Sequence, residues 1–346
     1  MAGLSEIASA AGVSVSTVSR VLNRRAGVNH ETRQRVLAAL AELPHTSRGV
    51  AALGRTGVVG LLVPELSNPV FPAFAEALET RAARAGFSCV LCNTRSSEPD
   101  SLGEEQYVGM LLARGVTGMI FVSPGIANVS PARRTARSAY YHQLVNDGVR
   151  VVFVNGGVPS ADIPDVAVDE QLAGYLATRH LLDLGHRHIG FVSGPARSLP
   201  SRLKHAGWAT ALEEEGLAAR PALVSHAPYG AGGGARALGE LLDREPVTAV
   251  ICSSDHMALG AIRECHRRGV SVPDQLSVIG FDDSPLADYC TPPLTTLAQP
   301  IAEMARAAVE ELAARLDPDA GAQPVGAHTR IFRPRLVVRE STAPLR

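Results

Sequence analysis

The clearest candidates for chemistry are small, hydrogen-bonding and cationic side chains near the start of the chain. Val15, Ser16, Thr17, Ser19 and Arg20 remain exposed on a predicted helix whose other face is apolar. Serine, threonine and arginine can bond base edges or phosphates, and valine can pack on a thymine methyl group. A helix that carries such groups suits the major groove, so the pattern predicts contact with double-stranded DNA.

Two short helical patterns joined by a turn position these groups. Their apolar faces consist of Leu4, Ile7, Ala8 and Ala11 in the first helix and of Val18, Val21 and Leu22 in the second. Gly12 stands where a tight turn needs a positive φ, which glycine adopts without steric cost. Ser14 is placed to cap the second helix through the backbone N–H of Thr17. These features predict a helix-turn-helix; the alternative is a helical hairpin packed on another element.

A third predicted helix, residues 30–43, begins after the capping residue Asn29, and its apolar face can cover the first two. Residues 1–57 hold seven arginines and three glutamates, whereas the whole chain of 346 residues has a net charge of −1. A basic head therefore precedes an acidic body, as attraction to phosphates requires.

The composition excludes several classes of protein. A hydrophobic content of 46% supports a large core, and no apolar run reaches membrane-spanning length. The N-terminus lacks a secretory signal, which predicts a cytoplasmic protein that acts near DNA. An odd count of five cysteines argues against a disulfide framework. Cys89 and Cys92 lie three apart on a predicted strand and so point to opposite faces, which favours structural cysteines over a metal site.

The body alternates between strands and helices, as two successive sets of βα units. Strands are predicted at 58–63, 87–92, 118–122, 150–154, 188–192, 222–225, 249–252 and 276–281, and helices at 70–85, 104–113, 140–147, 172–184, 202–215, 236–242 and 257–268. Near-continuous apolar strands indicate parallel sheets covered on both faces. We therefore expect an all-α helix-turn-helix domain followed by an α/β core of two doubly wound parallel-sheet lobes, with a ligand cleft at the carboxyl ends of the strands.

Two carboxylates stand where that cleft is expected. Asp255 and Asp282 each follow an apolar strand of the second set, and a carboxylate there can accept hydrogen bonds from a polyol. The alternative for either residue is a helix N-cap. The glycine-rich run 230–234 lacks the features of a phosphate-binding loop and is expected to form a flexible entry to a helix. No nucleophile–base pair or cofactor motif stands out, so the sequence predicts neither an enzyme nor a bound cofactor.

The order of these parts resembles the LacI/GalR family of transcriptional regulators over nearly the whole chain. The resemblance lies in eight motifs: AGVSVSTVSRVLN (11–23), ETRQRV (31–36), VPELSNP (63–69), LGHRHI (184–189), SDHMALGA (254–261), GFDD (280–283), TPPLTTLAQP (291–300) and LVVREST (336–342). It implies a periplasmic-binding-protein-like core, and a homodimer that binds a near-palindromic operator under the control of a small molecule, often a sugar. No apolar heptad tail that would join dimers into tetramers follows the last motif.

The resemblance also implies roles for DNA-binding residues. The counterpart of Arg20 contacts DNA, and those of Val15 and Ser16 largely select the bases, although Val15 could instead be core at the helix start. The other expected DNA contacts are Thr17, Ser19, Asn23, Asn29 and Thr32. Relatives have a hinge helix in the linker; here the linker is shorter, and Leu53 is the candidate for a wedge in the minor groove.

The implied effector site includes Asn68 and Phe71 from the turn after the first strand, although residues 68–69 could be a plain turn. A cationic contact falls on Arg202 or Lys204, and the spacing does not decide between them. Gln299 matches a crossover residue that reaches the ligand. Asn155 and Gly156 stand where many relatives have Asp-Arg, which disfavours a strongly anionic ligand.

We accordingly expect a helix-turn-helix at 1–43, a linker at 44–57 and a two-lobed domain at 58–346. Lobe one is expected at 58–155 and 284–315, and lobe two at 156–283 and 316–342. Residues 126–141 look like a surface insertion. The predicted function is that of a DNA-binding repressor controlled by a sugar. The alternatives are a regulator tuned by a protein partner and a solute-binding protein, which would need an export signal and no helix-turn-helix.

Overall fold

The computed structural model describes residues 57–94, 102–156, 163–317 and 328–345, together with residues 8, 11–14, 17, 21, 32, 35 and 36 near the N-terminus. The chain divides into two compact units, Met1–Thr56 and Gly57–Arg346. The expected limits of the head and the linker fall largely outside the described residues and remain expectations.

Within the first unit, the described residues agree with a helix-turn-helix. The apolar side chains expected to face inward are buried, with exposures of 0–6%: Ala8, Ala11, Val21 and Val36. Gly12 has a φ of 62°, as the turn requires. The Oγ of Ser14 accepts a hydrogen bond from the backbone N–H of Thr17 at 3.2 Å, which confirms the predicted cap.

The second unit contains alternating strands and helices. Its strands are β1 (Gly57–Val63), β2 (Phe87–Asn93), β3 (Gly118–Val122), β4 (Arg150–Val154), β5 (Asp165–Val168), β6 (Ile189–Ser193), β7 (Val224–His226), β8 (Ala249–Cys252), β9 (Ser277–Asp282), β10 (Thr295–Ala298), β11 (Thr329–Phe332) and β12 (Arg335–Val337). Its helices are α1 (Val70–Arg84), α2 (Glu104–Leu112), α3 (Pro131–Asn146), α4 (Glu170–Asp183), α5 (Leu199–Glu214), α6 (Ala231–Arg244), α7 (Asp255–Arg268), α8 (Leu286–Tyr289) and α9 (Ile301–Leu316), with short 3₁₀ helices at Gly125–Asn128 and Pro221–Leu223.

The strands form two six-stranded sheets, one in each lobe. The order is β11-β5-β4-β3-β1-β2 in the first lobe and β12-β10-β9-β8-β6-β7 in the second. Every pairing is parallel except that of β10 with β12. This arrangement confirms the predicted fold class.

The expected lobe limits need correction at three strands. β5 and β11 pair with each other in the first sheet, and β10 pairs with β9 in the second. The sequence analysis placed each in the opposite lobe, because these strands of four residues are too short for a distinct apolar pattern. The chain therefore crosses between the lobes three times: between β5 and α4, between β10 and α9, and between β11 and β12.

The segment 126–141 is not a surface insertion throughout. Tyr141 in α3 is only 1% exposed and packs edge-on against Phe121 and Phe153, with ring centroids 5.4 and 4.9 Å apart. Ile126 and Ala127 are also buried. The segment therefore covers one face of the first sheet. The expectation of a surface insertion was wrong because the arginines on the outer face of α3 make its sequence look polar, although its inner face is apolar.

The glycine-rich run 230–234 is not a flexible entry. Helix α6 begins at Ala231, and Gly234 lies so close to the neighbouring helix α7 that a Cβ atom would stand 2.0 Å from the carbonyl oxygen of Met257. Glycine is needed here for close helix packing. Among the described residues, no helix is long and apolar enough to cross a membrane.

Candidate functional site

A cleft lies between the two lobes at the carboxyl ends of their strands, where doubly wound sheets bind ligands. It holds about 620 Å³ of unfilled space, part of which is open to solvent. Five of the predicted effector residues line it: Asn68, Phe71, Lys204, Asp282 and Gln299. Arg202 and Asp255 do not line it.

A chain of hydrogen bonds crosses the cleft floor. The backbone N–H of Val168 donates to Oδ1 of Asn155 at 2.9 Å, and Nδ2 of Asn155 donates to Oε1 of Gln299 at 3.1 Å. Nε2 of Gln299 donates in turn to Oδ1 of Asp282 at 2.7 Å. Because Asn155 follows β4 and Asp282 ends β9, this chain joins one lobe to the other.

The backbone is strained at three residues that line this cleft. Ser123, Asn155 and Asp282 have φ values of 47°, 55° and 126°, which residues other than glycine rarely adopt. Each stands at or directly after the carboxyl end of a strand. Strained backbone of this kind clusters where side chains must be aimed at a ligand.

Of the two candidates for a cationic contact, Lys204 lines the cleft and Arg202 does not. Its Nζ lies 2.5 Å from Oε2 of Glu170 and 3.8 Å from the centre of the Phe281 ring. Lys204 is 4% exposed, whereas Arg202 lies on the exposed face of α5. Gly174 permits this pairing, because a Cβ atom there would stand 1.9 Å from the carbonyl oxygen of Lys204.

Burial governs the protonation of the cleft residues. It raises the pKa of the Glu170 carboxyl, and Lys204 opposes that shift. Desolvation is the largest single effect on Lys204 and lowers its pKa. The neighbouring groups, first among them the charge of Glu170, together outweigh it and hold this pKa above its usual value. Burial, reinforced by the charge of Asp255, raises the pKa of Asp282 well above the usual value.

Asp255 has a different environment from the one expected. It is fully buried, its Oδ1 accepts from the Thr296 hydroxyl at 2.5 Å, and its Oδ2 accepts from the Ser284 backbone N–H at 2.7 Å. The N-cap of α7 is Ser254, whose Oγ accepts from the N–H of Met257 at 3.2 Å. Asp255 is thus neither a lining residue nor the cap; it fixes the turn that follows Asp282.

Sequence reasoning missed several lining residues, including Glu170, Asn155, Ser253 and Tyr229. Asn155 and Ser253 directly follow predicted strands, so the rule that selected Asp282 could have found them. Glu170 follows β5, a strand that the sequence analysis did not predict. Within the described part of the chain, the buried Oγ of Ser253 has no hydrogen-bond partner, so it can serve a ligand.

Most of the predicted DNA contacts lie outside the described residues: Val15, Ser16, Ser19, Arg20, Asn23, Asn29 and Leu53. Thr17 and Thr32 are described, and both side chains are half-buried. The predictions for all nine residues stay predictions.

The cysteines are free thiols. Cys92 is buried and Cys89 half-buried on β2, as the alternation of a strand predicts. Across residues 57–94, 102–156, 163–317 and 328–345, no group of three or more acidic, histidine or cysteine side chains could hold a metal ion.

Sequence comparisons agree with this architecture. Residues 3–46 match the bacterial regulatory proteins of the lacI family, and residues 178–342 match a periplasmic binding protein-like domain. The HTH-type transcriptional regulator reg1 of Streptomyces lividans is 42% identical over 98% of this chain and 96% of its own length. The regulator MalR of Streptomyces coelicolor is 41% identical over the same shares. The repressor CytR of Escherichia coli is 30% identical over 99% of this chain and 97% of its own.

Solved structures agree as well. A complex of the transcriptional regulator CelR with cellobiose has a TM-score of 0.71 and 29% identity, and covers 98% of this chain and 99% of its own. The lac repressor dimer bound to operator and the anti-inducer ONPF has a TM-score of 0.70 and 26% identity, over 97% and 98%. All of these relatives are named as transcriptional regulators or repressors. The chain belongs to the LacI family of DNA-binding transcriptional regulators and combines its helix-turn-helix with a periplasmic-binding-protein-like ligand domain.

Proposed function

We propose that the protein is a repressor whose affinity for a near-palindromic operator is set by a sugar bound in the cleft. The observation that carries this proposal is the combination of groups in the cleft. Asp282, Asn68 and Gln299 offer carboxylate and amide groups for hydroxyls, and Phe71 and Phe281 offer apolar ring surface. Sites that bind polar small molecules combine such apolar walls with a few placed polar groups.

The charges favour an uncharged ligand over a phosphorylated one. Three carboxylates, from Glu65, Glu170 and Asp282, line the cleft, and the described lining includes one cation, Lys204, which is already paired. Among these described lining residues, a phosphate would find no unpaired cation and no arginine fork. The cellobiose-bound CelR and a ribose-bound LacI-family regulator from Enterococcus faecium, at 27% identity, accord with a sugar.

The effector reaches the DNA head through the lobes. A ligand that bonds to Gln299 or Asp282 competes with the bridge between the lobes and so shifts their closure. A homodimer would present two heads to two half-sites. In support of self-association, Tyr289 and Leu286 of α8 are 84% and 44% exposed, as an apolar contact surface would be in a free subunit.

The test uses the full-length protein. Operator sequences are selected from random DNA, and affinity is measured by fluorescence anisotropy with and without each of a panel of neutral sugars and sugar phosphates. We expect a palindromic consensus and a change in affinity of about fivefold or more with a neutral sugar. If only a sugar phosphate acts, the charge argument is wrong. If no sugar binds by calorimetry, the effector proposal is wrong, and regulation by a protein partner takes its place.

A further inference from the structure

The turn of the helix-turn-helix is fixed on both sides by hydrogen bonds of its own backbone. The N–H of Val13 donates to the carbonyl oxygen of Ala8 at 3.0 Å. Together with the φ of 62° at Gly12, this bond is a common way for a helix to end at a glycine. On the other side, Oγ of Ser14 caps the second helix through the N–H of Thr17. The first helix therefore ends, and the second begins, at defined residues.

The third helix contributes a cation to this turn. Nη2 of Arg35, a helical residue, donates to the carbonyl oxygen of Ala11 at 2.8 Å and lies 3.5 Å from that of Gly12. The last carbonyl groups of a helix have no partner within it, and they carry the negative end of its dipole. The guanidinium group therefore supplies the missing partner and bonds the third helix to the end of the first.

Gly12 leaves room for this guanidinium group. A Cβ atom at this position would stand 2.8 Å from Nη2 of Arg35, which is too close for ordinary contact. Glycine thus permits both the positive φ of the turn and the approach of Arg35. Val36, the next residue of the third helix, is 0% exposed. The exposed side chain of Arg35 therefore extends to the turn from a backbone that is anchored in the core of the head.

The residues that are predicted to read bases come directly after the turn. Val15 and Ser16 follow the capping residue Ser14, so the direction of the second helix at its start decides where their side chains lie. Base edges are read only at contact distance in the major groove, whereas phosphate contacts carry no sequence information. An error in the direction of this helix should therefore weaken binding to the operator more than binding to unrelated DNA.

We propose that Arg35 is a positioning residue for base readout, because its bond to the end of the first helix sets the direction in which the second helix enters the major groove. The inference rests on the operator binding of the proposed function and is independent of the sugar. Since Arg35 is exposed, a direct bond to a phosphate is the alternative role.

The experiment compares operator DNA with unrelated DNA. Full-length wild type and Arg35→Met are titrated by fluorescence anisotropy with the selected operator and with a scrambled duplex of equal length, with or without effector, whichever gives tighter binding. We expect Arg35→Met to bind the operator about tenfold more weakly, the contribution of one hydrogen bond from a charged group, and the scrambled duplex within about twofold of wild type. A phosphate contact would instead weaken binding to both duplexes in equal proportion and reduce the slope of log affinity against log salt by about one per arginine.

Val36→Ala is the matched control, because it removes a buried contact of the same helix but no hydrogen bond. It should make the head less stable to heat and, below the melting temperature, leave the ratio of operator to scrambled affinity at the wild-type value. Hydrogen exchange followed by mass spectrometry on the full chain adds a measurement without DNA. In Arg35→Met, exchange should rise in peptides over residues 8–17 and stay at the wild-type rate in the rest of the head.

Three results would overturn the inference. A wild-type affinity ratio in Arg35→Met, or an equal loss in Val36→Ala, would show that Arg35 does not position the second helix. Equal weakening of both duplexes with a reduced salt slope would make Arg35 a phosphate contact. Faster exchange across all of residues 1–56 would mean that the head needs Arg35 in order to fold. If wild type itself fails to distinguish any selected operator from scrambled DNA, the proposed function is wrong, which is a different result from a loss in Arg35→Met alone.

Discussion

Gln299 donates from Nε2 to Oδ1 of Asp282 at 2.7 Å, and so joins the crossover segment to the carboxylate that ends β9. The same amide accepts from Asn155 of the other lobe. Each carboxylate oxygen can accept two hydrogen bonds, so Asp282 keeps acceptor capacity toward the cleft. Gln299 thereby fixes the orientation of the Asp282 side chain and links it to Asn155 of the first lobe.

The first prediction concerns Asp282. Asp282→Asn keeps the size of the side chain but replaces one acceptor oxygen with a donor, so effector affinity should fall about tenfold, the contribution of one or two hydrogen bonds. Operator affinity without effector should stay at the wild-type value. Asp147→Asn, at an exposed helix end, is the control. Calorimetry with the effector decides: wild-type affinity in the Asp282 variant would remove this residue from the site.

The second prediction separates Asp255 from Asp282. Asp255→Ala leaves the N–H of Ser284 and the hydroxyl of Thr296 buried without their acceptor, at about 1–3 kcal/mol each. Scanning calorimetry should therefore show a clear drop in melting temperature. Asp282→Ala should lower the melting temperature less and effector affinity more. The reverse order would mean that Asp255 is the ligand contact after all.

Long, strongly patterned elements could be predicted from the sequence, and short or buried-polar features could not. β1, β3, β8 and β9 are runs of apolar residues that fit only a buried parallel strand, and their positions were predicted within a residue or two. β5, β10 and β11 have four residues each, and the lobe to which each strand belongs depends on its pairing with distant segments. The residues of these short strands do not by themselves indicate with which strand they pair.

The site divides in the same way. Asp282 and Gln299 were predictable, the first from its place after a strand and the second from the family resemblance. The roles of Lys204 and Asp255 were not. The identity of the cationic contact depends on which face of α5 packs toward Glu170. The role of Asp255 depends on its hydrogen bonds to Ser284 and Thr296, which are distant in the sequence. Such tertiary contacts decide which of two similar side chains lines the cleft.

The third prediction concerns pH. Burial raises the pKa of Asp255 to about 6 from an ordinary value of 3.8. A raised carboxyl pKa favours folding fully below the unfolded value, and this contribution is lost as pH rises through the folded value. The contribution of Asp255 to the free energy of unfolding should therefore fall between about pH 4 and pH 6 by an amount on the order of 2–3 kcal/mol.

Asp255→Asn lacks this titration and isolates it. Denaturant unfolding at pH 4.5 and 7.5 should show a smaller decline in the variant than in wild type, whatever its absolute stability. Equal declines in the two proteins would mean that Asp255 is ionised throughout this range.

The fourth prediction concerns the buried pair. Lys204→Met leaves Glu170 without its countercharge and should destabilise the protein by about 3–5 kcal/mol. Glu170→Gln combined with Lys204→Met removes both charges and should recover much of that loss, since the remaining groups are neutral. The melting temperatures of Lys204→Met, of Glu170→Gln and of the double variant together form a double-mutant cycle. Additive losses would show that the two side chains do not interact.

The fifth prediction concerns the DNA head, where Arg20 is expected to contact the operator. Arg20→Ala should cost about 1–3 kcal/mol in operator affinity at fixed salt if the side chain makes a good base or phosphate contact. Arg333→Ala removes one exposed positive charge from the ligand domain and should leave operator affinity unchanged. Fluorescence anisotropy over 50–200 mM salt separates the two kinds of contact. A phosphate contact reduces the slope of log affinity against log salt by about one per arginine, whereas a base contact changes sequence preference at one operator position. Wild-type affinity and slope in the Arg20 variant would exclude the residue from the interface.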